Sequence, residues 1–290
     1  MKRAIARWLN NQGSTTGDRG SRRAARVFYG VASWIDPSWS VPYYNLGLNA
    51  KYAGEWERSR AYNQRAVSLN PKDEDAWWNL GIAATALSDW PEARRAWKGF
   101  GIEIPEEEGE FMMPSGTACV RLDPNVAGEV VWGRRIDPAR MLILNVPLPE
   151  SKHRYHDVVL NDGAPNGTRM LKGTEVPVFD ELMIWKPSDY STFRVSIKVS
   201  TEAAHAALEA LCEEKGIGIE DWSTVRFICS ECSRGNPGPH DCKSPAPESG
   251  ESTLGFAAKS KDELIDMLQN WAVQFAEGDY GEVELLLPAK

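Results

Sequence analysis

The sequence predicts an α+β multidomain chain, and three observations predict it. Residues 40–107 repeat with a period of 34. From residue 117 the pattern changes to short runs of β-branched and apolar residues set between turn signals. From residue 192 the runs fall in the order βαββαβ. A period near 34 marks stacked helix–turn–helix units, and alternation of period two marks strands. At 290 residues the chain is long enough for two or three domains. The boundaries expected are 1–107 for the helical repeats, 108–190 for a β-rich, barrel-like domain and 191–290 for an α/β domain.

The period is carried by particular residues. Leu46-Gly47 and Leu80-Gly81 stand 34 apart, as do Trp56 and Trp90, Ala66 and Phe100, and Pro71 and Pro105. The two units are 40–73 and 74–107. Within them Tyr43 or Trp77 supplies a large aromatic, and Gly47 or Gly81 lets two helices approach. Ser59 or Ala93 is small, Asn63 or Trp97 follows it, and Pro71 or Pro105 closes the unit where a helix cannot continue. Residues Ala25, Tyr29, Ala32 and Pro37 fall 34 before Ser59, Asn63, Ala66 and Pro71, and Gly13 falls 34 before Gly47. A degenerate upstream copy is therefore expected, with a good second helix at about 21–34. Its first helix is expected to be poor, because NNQGSTTGDRGS is polar and glycine-containing. Gly99 and Gly101 around Phe100 predict that the last helix ends early.

These residues resemble the tetratricopeptide repeat (TPR) family over the N-terminal third of the chain. The resemblance implies a TPR-like α-hairpin array whose inner wall is lined by the first helix of each repeat. By repeat position that wall holds Tyr44, Asn45, Leu48, Lys51 and Tyr52, then Trp78, Asn79, Ile82 and Thr85. It implies a protein or peptide partner, gripped by Tyr44, Asn45, Leu48, Lys51, Trp78, Asn79 and Ile82, with the repeated Asn bonding an extended backbone. Family members that clamp a terminal carboxylate use several cations there, and this chain offers Lys51. The competing expectation is that the chain's own C-terminal part covers the wall.

Composition narrows the classes. Hydrophobic residues make up 42% and charged residues 26%, ordinary values for a globular protein. No apolar run approaches membrane-spanning length, and MKRAIARWLN lacks a secretory apolar core, so no membrane association and a cytoplasmic location are expected. A net charge of −8 argues against a general nucleic-acid binder. The charge is uneven: Lys2, Arg3, Arg7, Arg19, Arg22, Arg23 and Arg26 face Asp18 alone in residues 1–35, while Glu103, Glu106, Glu107, Glu108 and Glu110 crowd the end of the repeats.

That acidic stretch reads as the boundary. Beyond it, 117–121, 128–134, 140–147, 156–161 and 176–185 are strand candidates of a small, bent sheet or barrel. NDGAPNGT (161–168) reads as a hairpin turn, since it lacks a phosphate-loop Lys and no helix follows it. From 192 on, FRVSIKVS is a strand and a helix runs from Thr201 as N-cap to Gly216. DWSTVRFIC and STLGFAAKS are strands, a second helix opens on a Ser260–Glu263 capping box, and GEVELLLP closes the series. This is the ferredoxin-like arrangement. Leu208, Leu211, Leu264, Leu268, Trp271 and Phe275 are its expected helix–sheet core.

The loop between its middle strands carries Cys229, Cys232, His240 and Cys242 within CSECSRGNPGPHDC. Thiolates and an imidazole at C-x2-C and H-x-C spacing point to Zn2+ in a structural, tetrahedral site, with Gly235, Pro237, Gly238 and Pro239 turning the chain back. A disulfide or redox pair and uncrosslinked thiols are the alternatives. A redox pair is disfavoured, because no helix begins at this C-x2-C to lower a thiol pKa. Cys119 and Cys212 read as core residues.

His153, His156 and Asp157 form an H-x-x-H-D run in a turn. Two function classes follow. The first is a cytoplasmic, bacterial protein–protein interaction adaptor with a zinc-tied C-terminal domain, one version of which neutralises a partner such as a toxin. The alternative is a zinc-dependent, hydrolase-like enzyme using either the 229–242 metal or His153, His156 and Asp157, with the array as a targeting module. No catalytic residue is assigned.

Overall fold

The computed structural model describes residues 1–113, 116–124, 128–199, 201–224, 234, 252–275 and 278–290. The chain packs as two units: residues 1–113 with Asp137–Ala139, and residues 114–136 with 140–290. Arrays of helices come first, and mixed sheets make up the rest.

The first unit holds α1 (Lys2–Asp18), α2 (Arg22–Ile35), α3 (Ser40–Lys51), α4 (Trp56–Leu69), α5 (Glu74–Ala86) and α6 (Trp90–Phe100), paired in sequence as three hairpins. Each hairpin closes on the same device. A Cβ on Gly13 would meet the Tyr29 ring at 2.5 Å, one on Gly47 the Asn63 amide at 2.6 Å, and one on Gly81 the Trp97 ring at 2.6 Å. The three glycines are 34 apart, and so are the three side chains they admit. Small buried residues flank them at the same period: Ala25, Ser59 and Ala93. Adjacent hairpins interlock through Ala66, Val67, Ala76 and Leu80 in one cluster and Ala25, Tyr29, Leu46 and Tyr62 in another. Full burial of Leu80 contributes about 1.5–3 kcal/mol.

The sequence expectation for α1 fails, and the reason is local. The hydroxyls of Ser14, Thr15 and Thr16 donate to the carbonyls of Asn10, Asn11 and Gln12, each four residues back. The polar run therefore bonds to its own helix instead of leaving it. Gly13, a weakness by propensity, is required by Tyr29. Later helices start on better caps: Asp73 accepts from Ala76 N–H and Asp89 from Glu92 N–H. The early end of the last helix is as expected. Gly101 takes φ 104°, and α6 has 11 residues where α2 and α4 have 14.

The second unit opens with β1 (Thr117–Arg121), β2 (Val130–Arg135), β3 (Arg140–Ile143), β4 (Val158–Leu171) and β5 (Thr174–Lys186). They form a closed barrel in sequence order, shut by parallel pairing of β1 with β5. Arg121, nearly fully buried on β1, locks that closure by pairing with Asp180 of β5 and donating to the Asn166 carbonyl of β4. Ala118, Val120, Leu122, Val131, Met141, Ile143 and Val159 fill the interior. The segment 161–168 is not a hairpin turn. It continues β4 through successive register shifts at Asn161, Pro165 and Thr168, and the turn lies at Lys172-Gly173, both with positive φ. The bulges let a strand hold Gly163, Pro165 and Gly167 without breaking its ladder.

The unit continues with β6 (Ser191–Val199), α7 (Glu202–Lys215), β7 (Gly218–Asp221), β8 (Ser252–Ala258), α8 (Lys261–Gln274), β9 (Gly278–Tyr280) and β10 (Glu284–Leu287). The strands lie in the order β10-β6-β8-β7, each antiparallel to its neighbour, and β9 pairs with β6. Both helix starts are as expected: Thr201 accepts from Ala204 N–H and Ser260 from Glu263 N–H. Leu208, Leu264, Leu268 and Trp271 are buried in the core, with Leu211 and Phe275 packed at its margin. Of the strand expected over 221–229, residues 225–229 lie outside the described residues; among the described ones β7 ends at Asp221. Asp221 accepts from both N–H and O–H of Ser223, a short helical turn spans Trp222–Thr224, and the Trp222 ring occupies the space above Gly255.

Barrel and sheet share one unit because the 144–157 connection is tied to the sheet. Asn145 donates to Glu220 at 2.7 Å, Trp222 to the Val146 carbonyl at 2.9 Å, and Arg154 to the Pro288 carbonyl at 2.8 Å.

The hairpin device makes a paired prediction. Gly81→Ala should lower the unfolding free energy of the protein by about 1–2 kcal/mol, since the fully buried Trp97 ring has nowhere to move and overpacking outweighs the gain in helix propensity. Gly30→Ala, also helical but with open space around its Cβ position, should raise it by about 0.5–1 kcal/mol. Chemical denaturation followed by far-UV circular dichroism measures both. Equal effects of one sign would refute the close-approach account.

Candidate functional site

The wall that the repeat period assigns to a partner lies on α3 and α5, which pack against each other. Tyr44, Asn45 and Leu48 are half-buried, and Lys51, Asn79 and Ile82 are buried. Trp78 is half-buried and turns its ring into α6, edge-on to Trp97 at 5.1 Å and to Phe100 at 4.7 Å. Asn45 donates to Asn10 of α1 at 2.9 Å, so one of the two repeated amides bridges neighbouring hairpins. Lys51 lies over the Tyr52 ring at 4.6 Å, and Tyr52 is exposed. The residues most open on this wall are thus Tyr44, Leu48 and Tyr52, and the most enclosed are Ile82 and Thr85. Asn10 carried no signal in the sequence, because its role depends on the α1 helix that local propensity argued against.

His153, His156 and Asp157 do not converge. His153 is buried, with Nε2 at 2.8 Å from a Glu181 oxygen and Nδ1 at 2.6 Å from the Ser151 carbonyl. His156 has φ 66° and stacks on Tyr155 at 3.8 Å. Asp157 is fully buried and accepts from the N–H groups of Arg154 and Ser188, which holds the barrel to the start of β6. Among the described residues no group of three or more His, Cys, Asp or Glu side chains is placed to hold a metal.

The geometry around His153 adds two carboxylates that the sequence did not mark. Burial works against the charged imidazole, but the Glu181 hydrogen bond and charge outweigh it and hold the His153 pKa above its ordinary value. Glu129 is pushed up to about 7 by burial, which the Leu148 N–H offsets only in part. Glu129 precedes β2 and Glu181 lies on β5, so only barrel closure brings them near residue 153. Cys119 and Cys212 are buried free thiols, pushed by burial to about 11 and about 12, which makes them inert core residues. Cys229, Cys232, His240 and Cys242 lie outside the described residues.

A pH dependence follows. The unfolded chain loses the Glu129 proton near the ordinary carboxyl value, while the folded chain keeps it to about 7. His153 adds stability that is full below its unfolded pKa and is lost as pH rises through its raised folded value. Both terms have one sign, so stability should fall from about pH 5 to about pH 8, by roughly 2–3 kcal/mol. Thermal melts at the two ends measure it, and His153→Gln should flatten the slope.

No family model matches the chain. The uncharacterized protein MJ0572 of Methanocaldococcus jannaschii is 34% identical over 62 residues, which cover 21% of this chain and 72% of that protein. Among solved structures, the second TPR of Spaghetti (RPAP3) bound to the HSP90 peptide SRMEEVD matches at 17% identity and a TM-score of 0.33, covering 34% of this chain and 91% of that one. The Arabidopsis OM64 TPR domain matches at 15% identity and 0.32, covering 34% and 81%. The Sgt2 TPR domain from Aspergillus fumigatus matches at 23% and 0.31, covering 33% of this chain and 63% of that chain. The first third of the chain, with its three hairpins of one period, is a tetratricopeptide-like array, and the chain belongs to the same family as the Methanocaldococcus protein.

Proposed function

We propose that this chain is a protein–protein interaction adaptor that grips a protein or peptide partner along the α3/α5 wall. The observation that carries this reading is the array itself. Three hairpins closed by the same glycine contact set α3 beside α5, with α1 bridged to α3 through Asn10 and Asn45, and a row of such helices is a surface that can follow an extended chain. Tyr44, Leu48 and Tyr52 supply aromatic and aliphatic contact, Asn45 offers a partner's backbone the hydrogen-bonding capacity left beside its bond to Asn10, and the buried Asn79 supports the wall from behind with Trp78 and Ile82. Lys51 is its cation. No described helix is long and apolar enough to cross a membrane.

The rest of the chain adds a second surface. The antiparallel order β10-β6-β8-β7 with two helices supports the ferredoxin-like reading of its end. Cys229, Cys232, His240 and Cys242 would hold a structural Zn2+ that ties a polar loop with little apolar content of its own. A setting in the bacterial cytoplasm is part of this reading. Its most specific version is neutralisation of a partner such as a toxin, which a net charge of −8 permits.

Two experiments test these statements. In the first, full-length protein carrying Leu48→Arg with Asn45→Ala is compared with wild type in affinity purification from the native host. The partners retained by wild type should be depleted by about tenfold or more while the circular dichroism spectrum is unchanged. An identical set of partners at identical yield removes the wall from the proposal. In the second, metal analysis of purified protein should find about one zinc per chain, lost in Cys232→Ser. Metal at background level in the wild type removes the zinc.

A further inference from the structure

The junction of barrel and sheet carries a stack of rings. Tyr155 and His156 lie face to face, with centroids 3.8 Å apart and planes 19° from parallel. The Tyr190 ring stands nearly perpendicular to both, at 5.2 Å and 5.4 Å. A ring almost equally far from both members of a stacked pair lies beside the pair; at either end it would be much nearer to one member. Tyr190 therefore walls the side of the stack and leaves its ends. Gly218 of β7 lies against the Tyr155 ring, where an added Cβ would come within 3.0 Å. No aromatic ring among the described residues covers the outward face of His156.

The backbone fixes these rings. His156 has φ 66°, a left-handed conformation that favours glycine, and its N–H donates to the Ile143 carbonyl at 3.1 Å. The next residue is Asp157, fully buried and holding two N–H groups. Tyr190 donates its O–H to the Gly216 carbonyl at 2.9 Å and its N–H to the Ser188 hydroxyl at 3.0 Å. The outward polar groups are unused. Neither the ring nitrogens of His156 nor the Tyr155 hydroxyl makes a hydrogen bond among the described residues. A half-buried imidazole, held at a backbone conformation few side chains adopt and with both nitrogens unbonded, is a feature that folding does not require.

Charge beside the stack supplies the other half of the recognition. Arg134 is exposed on β2, in register with Leu142 of β3 and through it with Val158 of β4, two residues beyond His156. It makes no ion pair or hydrogen bond among the described residues and does not lie over the Tyr155 ring. Lys259, just past β8, pairs with Asp189 at 3.0 Å and lies over Tyr190 at 5.6 Å, so those two charges largely cancel. Burial and then Arg134 hold the His156 pKa below its ordinary value; Asp189 opposes them and Lys259 adds to them. Arg134 is thus the uncompensated charge at the stack, near the rings but set apart from them. We propose that this junction binds a free purine nucleotide, its base stacked on His156 and its phosphate paired with Arg134. A guanidinium so placed calls for an anion spaced from its ring, as a ribose spaces a phosphate from a base. The net charge of −8 favours the free nucleotide over a nucleic-acid strand.

The test uses the full chain with AMP, GMP, adenosine, ribose 5-phosphate, phosphotyrosine and a deoxyadenosine hexamer. Calorimetric titration should show AMP or GMP binding at least about tenfold more tightly than adenosine or ribose 5-phosphate. Arg134→Gln, at an exposed position, should lose about tenfold for the nucleotide and leave adenosine unchanged. His156→Asn keeps a side chain that tolerates positive φ and should also lose about tenfold. Saturation with the nucleotide should move the His156 Cε1 proton resonance upfield, as a ring stacked over it does, and ribose 5-phosphate should not. That shift and Arg134→Gln decide the matter if His156→Asn changes the circular dichroism spectrum. Absence of nucleotide binding, equal binding of ribose 5-phosphate, or binding that Arg134→Gln leaves intact overturns the inference. So does tighter binding of the hexamer or of phosphotyrosine than of either nucleotide. Leu48→Arg leaves nucleotide binding unchanged, which keeps this site separable from the α3/α5 wall.

Discussion

In each hairpin of the array one helix has no side chain where the other has a large one. Gly13 admits Tyr29, Gly47 admits Asn63 and Gly81 admits Trp97. The contact fixes the depth to which paired helices sink into each other, and with it the position of every residue on the outer surfaces. What fills the gap differs at each repeat, from phenol to amide to indole, yet the spacing stays at 34. Asn63 is the polar case. It is fully buried, and its amide donates to the Ser59 carbonyl and hydroxyl, so the site is held by hydrogen bonds where its neighbours use ring packing. The array tolerates this because the requirement is for volume opposite a glycine, and the two hydrogen bonds of the Nδ2 group offset part of the cost of burying an amide whose Oδ1 has no hydrogen-bond partner among the described residues.

The second unit is organised by closure in place of repetition. Parallel pairing of β1 with β5 ends the barrel, and Arg121 with Asp180 and Asn166 holds the ends together from within. That closure brings Glu129 and Glu181 to His153 from strands far apart in sequence. The same connection that carries His153 and Asp157 is also fastened to the sheet, through Asn145, Val146 and Arg154. A buried titratable cluster therefore sits in the segment that unites two sheets, where its protonation bears on the cohesion of the whole unit.

The helices of the array and the two helices of the sheet were legible because each announces itself within a few residues: Leu-Gly at a fixed interval, Thr201 and Gly216 around one helix, Ser260 and Glu263 at the start of another. The strands Thr117–Arg121 and Thr174–Lys186 were legible for a similar reason, their β-branched runs being bounded by turns. Three segments misled. The polar run in α1 reads as a coil until its hydroxyls are seen returning to their own helix. NDGAPNGT reads as a turn until register shifts carry it through a strand. The start of DWSTVRFIC, residues 222–224, reads as strand until the Trp222 ring is placed over Gly255. In the first case bonds within the helix itself, and in the other two pairing or packing with other elements, outweighed a propensity worth less than about 1 kcal/mol per residue.

The sequence alone determined that the first hundred residues stack as paired helices, since a period is a property of residue order and survives without coordinates. It also determined which residues would form the α7 and α8 core, because helical spacing places Leu208, Leu264, Leu268 and Trp271 on inward faces. Only the tertiary structure decided which faces are left open. It turned Trp78 inward onto Trp97 and Phe100, spent Asn45 on Asn10, and left Trp8, Val31 and Trp34 uncovered. Spacing states which residues share a side of an element, whereas exposure depends on what other elements pack there, and that is settled only by the whole chain.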